Sequence, residues 1–275
     1  AGNYGAAKRR FVDATMRPLW RNVAGSLAPL VSVPADAELW IDDRDIAFLR
    51  DDSKDRADIQ HTQSNTIRQL TDAGFTLQLD CPDLAMLRHM VYLDLPLADY
   101  RKIIATNVSA LNHAVRDLPP EKMRMHVCWG STMAPHHTDV ELKDIVDIVL
   151  SARPHAVSFP AANARHEHEW KIWREVKLPP GKKIIPGVID STSNIVEHPE
   201  VVADRIFNFA SVVGRENVIA GVDCGFGTFA GRVQVDSKIV WLKLQSLAEG
   251  AARASKQLWS GVRPDTREQV GLLGP

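Results

Sequence analysis

The residues of this 275-residue chain best equipped for chemistry are His126 and Cys128, one residue apart in MRMHVCWG. On a β-strand such an i, i+2 pair shares a face, with Cα atoms about 7 Å apart, so both side chains can reach one ion. Alone the pair is weak, because a buried cysteine beside a hydrogen-bonded histidine is an ordinary core arrangement. A second cysteine shifts the balance. Cys224 closes another apolar run, NVIAGVDC, and the glycine-rich GFGT that follows lets a ligand or backbone come close. Thiolate plus imidazole is a zinc ligand set, and three protein ligands with an open fourth position is a catalytic pattern rather than a structural one. Such a site suits the binding of a thiol, whose pKa it lowers to give a nucleophile at neutral pH. The chemistry expected is alkyl transfer to a thiol.

Strands must hold these side chains. Short apolar runs bounded by Gly, Pro or Asp read as buried parallel strands at 75–80, 123–128, 155–160, 183–190 and 217–224. Helical patterns alternate with them at 97–118, 141–152, 198–213 and 236–259. Thr138 and Glu141 have capping-box spacing before the second of these, and Pro199 suits the first turn of the third. Repeated βα units imply a parallel sheet. No GxGxxG follows the first strand, which weakens a dinucleotide-binding sheet. Asp80, His126, Cys128, Asp190, Asp223 and Cys224 fall at strand C-termini, where a (β/α)8 barrel carries its active site. The expectation is an α/β chain, a (β/α)8 TIM-type barrel forming a single domain over 1–275. Residues 57–260 hold the βα units and 261–275 a tail. Residues 1–56 are atypical, with AELWIDD (37–43) a weak sixth strand, so the first part of the barrel is unusual or incomplete.

The formal charge of -1, with no long basic run, argues against a nucleic-acid partner. No apolar stretch reaches the length of a membrane span. The start, AGNYGAAKRRFVD, lacks the apolar core of a signal peptide. Three cysteines without such a signal suggest free thiols in a reducing cytoplasm. Self-association is left open.

LQLDCPDLAM, MHVCWG, PGVIDSTSNIVEHPE and VIAGVDCGFGTFAG…KLQSLAEGAARASKQLW resemble the cobalamin-independent methionine synthase family, in its catalytic C-terminal domain. They look closest to its short, stand-alone bacterial members, a group that also includes epoxyalkane:coenzyme M transferase. The resemblance runs from about residue 60 to 260. It implies a barrel fold, a role in methionine biosynthesis, and catalytic zinc held by His126, Cys128 and Cys224. Asp80 matches the aspartate that holds the amino group of homocysteine. Two departures stand out. Pro160 occupies the place of a glutamate that completes the zinc site in many members, leaving water, the thiol or Glu167 as fourth ligand. The Gly-Ser-Phe/Tyr-Pro segment that helps bind the amino acid is missing, which leaves the thiol open between homocysteine-like and coenzyme M-like compounds.

Around this set, Trp129 would line the pocket and Asp190 would orient substrate or a zinc-site group. His136 or His137, in the loop after the zinc strand, would assist the leaving group. RHEHEW (165–170) reads as a helix start at the barrel mouth, with His166 or His168 near substrate. Cys81 is expected in the core, and Trp129, Trp170, Trp173 and Trp241 in packing. The function expected is zinc-dependent methyl or other alkyl transfer to a thiol, with methyl-folate a candidate donor. Three rivals are an epoxide-opening thiol transferase, a metal-free decarboxylase-type barrel, and a zinc-binding relative without turnover.

Overall fold

The computed structural model describes residues 66–227 and 234–260. Residues 1–56, including the strand expected at 37–43, and the tail 261–275 lie outside them. Contacts within the chain group residues 1–73 and 74–275 into two units. Of the first, the described part is helical over 66–72.

In the second unit, five strands form one parallel sheet: β1 (Leu77–Cys81), β2 (Met123–Val127), β3 (Ala156–Phe159), β4 (Lys183–Ile189) and β5 (Gly221–Val222). The helices are α1 (Met86–Met90), α2 (Leu97–Ala114), α3 (Val146–Leu150), α4 (Pro199–Val213) and α5 (Ser237–Trp259). Strand order is β1-β2-β3-β4-β5, so each strand lies beside its predecessor in sequence. A doubly wound sheet reverses direction at a switch point, and this one does not. Registers pair Asp80 with His126 and His126 with Ser158, so these three side chains leave one face of the sheet together. On the opposite face of β1, Cys81 is buried, as expected, in the main core cluster that also holds Leu84, Tyr100, Val127 and Phe159.

Two elements differ from their sequence reading. The stretch expected as one helix over 141–152 is a 3-10 turn, Leu142–Asp144, followed by the five-residue α3. No side chain caps either piece, so the Thr138–Glu141 capping box does not form. Instead the Leu142 amide donates to the Glu169 carboxylate at 2.7 Å, a cap supplied from the far side of β3. The strand expected over 217–224 shrinks to two residues, extended by an isolated bridge between Ile184 and Val218.

The ends of α4 and α5 behave as their residues dictate. Pro199 opens α4 behind a His198 cap that accepts from the Glu200 amide, and Asp236 caps α5 by accepting from the Lys238 amide. The two helices pack closely because Gly250 has no side chain. A Cβ built there would stand 2.5 Å from Val202. No helix among the described residues is long and apolar enough to cross a membrane.

Candidate metal centre and adjoining pocket

Sequence spacing puts His126 at the last turn of the β2 ladder and Cys128 just past it, both facing the same way. Cys224 arrives from β5, three strands across. On a flat sheet that step would be about 14 Å, at about 4.8 Å per strand. Yet Cys224 Sγ lies 3.4 Å from Cys128 Sγ and 3.2 Å from His126 Nε2. The sheet therefore curls, with the three side chains on its concave face. Gly187 of β4 permits part of this approach, since a Cβ there would fall 2.0 Å from Asp223 Oδ1 and 2.7 Å from its Cα.

The donor atoms of His126, Cys128 and Cys224 all lie within 4.8 Å of one another. Around tetrahedral zinc, two thiolates would sit about 3.8 Å apart and a thiolate and imidazole nitrogen about 3.6 Å. The two spacings to Cys224 need only a few tenths of an ångström of adjustment and the third lies within 4.8 Å, so the donor set can close on such an ion. His126 Nδ1 lies 3.2 Å from the Ser158 hydroxyl. A hydroxyl can accept or donate, so Ser158 can take the Nδ1 proton's hydrogen bond while Nε2 is given to a metal. The hydrogen bond to Cys224 outweighs burial and, with His126 and the Gly130 amide (3.2 Å), pulls the Cys128 thiol down to about 5. That same pairing, together with burial, pushes Cys224 up. Within the pair Cys128 is thus the more acidic sulfur.

Asp223, next to Cys224, is fully engaged. Its carboxylate accepts from the amides of Ala161, Ala162 and Asn163 and from Asn163 Nδ2, all at 2.8–3.0 Å. Burial pushes its pKa up to about 6 despite those bonds. It ties the end of β5 to the loop after β3. Asp80 is exposed beside His126, and its carboxylate has no partner among the described residues. Pro160 is buried at the pocket wall. Glu167 does not join the three donors: it is exposed, with its carboxylate 3.6 Å from Arg205. Asp190 Oδ1 accepts from the amide and hydroxyl of Thr192, while its own amide donates to Glu197 and its carbonyl accepts from the fully buried Lys243. It holds its own turn, where burial is outweighed by hydrogen bonds from Ser193 and Thr192 that lower its pKa.

No family model matches the chain, and no curated protein does. Among solved structures it is similar to a B12-independent methionine synthase from Shewanella sp. W3-18-1, determined in complex with selenomethionine. Identity is 19% and the TM-score 0.53, with 75% of this chain and 56% of that chain covered. The likeness is one of fold. The chain spans little more than half the length of that methionine synthase.

Beside the cysteines opens a pocket of about 210 Å³, lined among others by Trp129, Gly130, His136, Pro160 and His166. Trp129 is buried, its indole N–H donating to Val140 O at 2.7 Å, and one part of it reaches the pocket. Behind the wall lies a network that the sequence did not announce. The Asp139 carboxylate meets His136 Nδ1 at 2.8 Å and His166 Nε2 at 3.1 Å, and His166 Nδ1 meets Glu169 at 2.9 Å. His89 Nδ1 approaches the other Asp139 oxygen at 2.9 Å without the alignment of a hydrogen bond. With carboxylates on both nitrogens, His166 carries both protons. Burial alone would lower its pKa, but Asp139 and Glu169 prevail and raise it to about 9. Asp139 is driven upward by burial, and its bonds to His136 and His166 prevail, holding it at about 2.

His136 adopts a positive φ of 54°, held by Asp139 and by Thr132 O at 3.0 Å. His137 and His168 are exposed. One signal for the buried pair existed: RHEHEW forms a 3-10 helix, Glu167–Arg174, and at three residues per turn His166 and Glu169 stack on one side. Ser158 had only a faint signal, a polar residue within an apolar strand. Trp170 and Trp173 pack, under Arg174 and against Phe159, but Trp241 is 72% exposed and corrects the expectation that it packs.

Proposed function

We propose that the chain transfers an alkyl group, most simply methyl, to a thiol acceptor, with zinc held by His126, Cys128 and Cys224. The carrying observation is the convergence of these donors, from strands three steps apart, on one concave face beside a pocket. The strictly sequential parallel order, the curl and the likeness in fold to a methionine synthase support a (β/α)8 barrel and methionine-synthase-like chemistry. Zinc bound there would lower the pKa of the incoming thiol and make its sulfur a nucleophile at neutral pH.

The chain's own residues do the rest. Asp80, exposed and unpartnered at the same face, holds the cationic end of an amino-acid-like acceptor. The fourth position, where Pro160 offers no ligand, is left to water or the thiol. The acceptor sulfur attacks the alkyl carbon, the bond from that carbon to its leaving group breaks, and the leaving group takes up a proton. His136 lines the pocket, its bond to Asp139 raises its pKa against burial, and it would supply that proton.

Metal analysis tests the site. Wild type should hold one equivalent of zinc and Cys224→Ser should lose it, whereas a wild type without affinity for zinc would sink the reading. Methyl and epoxide donors assayed against a panel of thiols then decide the reaction. Zinc retained with no turnover on any pair would leave a binding protein.

A further inference from the structure

One stretch of backbone walls the pocket and is held mainly by a single side chain. Thr132 to His136, in the loop between β2 and α3, all line it, and Pro160, Asn163 and Thr192 join them from the loops after β3 and β4. The loop is anchored at both ends. Ser131 Oγ lies 3.2 Å from Ser191 Oγ in the interior, and Asp139 is buried, its carboxylate also meeting His166 Nε2 at 3.1 Å. Between these anchors Met133, Ala134 and Pro135 are exposed. Among the described residues every hydrogen bond within this span engages His136, except that of the Ala134 amide to Thr132 Oγ1. His136 Nδ1 bonds to the Asp139 carboxylate at 2.8 Å and Nε2 to the Thr132 carbonyl at 3.0 Å, while the His136 carbonyl accepts from the Asp139 amide at 3.2 Å. Its φ of 54° is one that a residue with a side chain keeps only where its surroundings hold it.

A carboxylate and a carbonyl only accept, so the ring makes both bonds only while both of its nitrogens carry protons. A neutral ring gives up one of them, and with it one of the two ties that hold the positive φ. We propose that the loop 131–139 is a lid on the pocket, latched by the doubly protonated ring of His136 and released when that ring loses a proton. The charged groups around the ring favour the latched form. Asp139 faces it from the same loop, with His166 and Glu169 behind from the 3-10 helix after β3. His89 of α1 stands edge-on, the ring centroids 6.2 Å apart, and Arg165 lines the same pocket. Among these the bond to Asp139 dominates and raises the His136 pKa against burial and the His166 charge. Asp139 itself is held at about 2, so the anchor stays ionised. The latch is therefore fully closed below about pH 6.5 and is lost as pH rises through the raised value. It serves whichever reaction the pocket hosts. Under the thiol-transfer reading, giving a proton to the leaving group would also unlatch the lid and let product out.

The test is hydrogen exchange by mass spectrometry on the full chain from about pH 6 to about pH 9, read as protection factors so that the intrinsic pH dependence of exchange cancels. Wild-type peptides covering 131–139 should lose protection by about tenfold or more across this range, the size of a lost charge-assisted hydrogen bond, while α2 stays level. The step should vanish in His136→Asn, which tolerates the positive φ but cannot titrate. It should survive in His137→Asn, an exposed neighbour in the same loop. Wild-type protection that stays flat, a step that survives in His136→Asn, or one that His137→Asn removes equally would each overturn the latch. Far-UV circular dichroism checks that both variants fold. Nitrogen NMR of the wild-type His136 ring needs no variant: protons on both nitrogens at about pH 6 and on one at about pH 9 support the latch, and a single proton at about pH 6 overturns it. No thiol or alkyl donor enters, so failure of the latch leaves the metal centre and its reaction to their own assays.

Discussion

At the scale of single residues, the grouping of His126, Cys128 and Cys224 as donors that could hold a metal was readable because its signals are local. His126 and Cys128 share a strand face by spacing alone, and Cys224 ends another apolar run. Asp139 and Ser158 were not readable, because folding brings them His166 and His126 from 27 and 32 residues away, and Glu169 showed its spacing to His166 but not its bond to the Leu142 amide, 27 residues away. The buried His166 makes this network measurable. Its pKa of about 9 lies above the ordinary value of 6.5. Its proton therefore contributes stability in full below about pH 6.5, and that contribution is lost as pH rises through about 9. Asp139, held at about 2, behaves oppositely: its contribution is present above the ordinary carboxylate range and lost only as pH falls through about 2. Thermal unfolding of His166→Gln should therefore lie well below wild type at pH 6.5, with the gap closing as both are taken toward pH 10. Melting curves that stay parallel across this range would show that the His166 proton plays no such part.

Among the elements, the strands at 77–81, 123–127, 156–159 and 183–189 follow the apolar runs closely, because a buried parallel strand writes its burial into consecutive residues. The region after β2 defied its pattern. Apolar residues at helical spacing over 141–152 fold as a 3-10 turn and a short helix, since the first amide is claimed by Glu169 rather than by a local cap. Helix packing depends on a residue that periodicity passes over. Gly250 of α5 meets Val202 of α4, and an added Cβ would also lie 2.7 Å from the Pro199 carbonyl. Gly250→Ala gains about 1 kcal/mol of helix propensity. The overlap should cost more, so that the variant is destabilised by a net of about 1–2 kcal/mol. Urea unfolding checks this, and the Gly250→Ala, Val202→Ala double variant should lose less than the sum of the single changes. Additive losses would mean that the two helices adjust without strain.

For the molecule as a whole, the candidate centre is placed to act as a clasp. It joins the end of β2 to the end of β5, whose own pairing to β4 is only two residues long. Asp223 reinforces the same junction from the loop after β3. A ligand that binds only the folded state stabilises it by about 4 kcal/mol when present at a thousandfold over its dissociation constant. For a chain of this size each kcal/mol moves the melting temperature by about 2–4 °C, so zinc at that excess should raise it by roughly 10 °C. Differential scanning fluorimetry with graded zinc and chelator measures the shift. Cys224→Ser should melt near the chelated wild type and ignore zinc, because the β2–β5 connection is cut. Cys81→Ala removes a thiol from the main core and should melt lower yet keep the full response to zinc. A Cys224→Ser protein that zinc still stabilises, or a wild type indifferent to chelator, would place the metal elsewhere and leave the convergence of His126, Cys128 and Cys224 as packing alone.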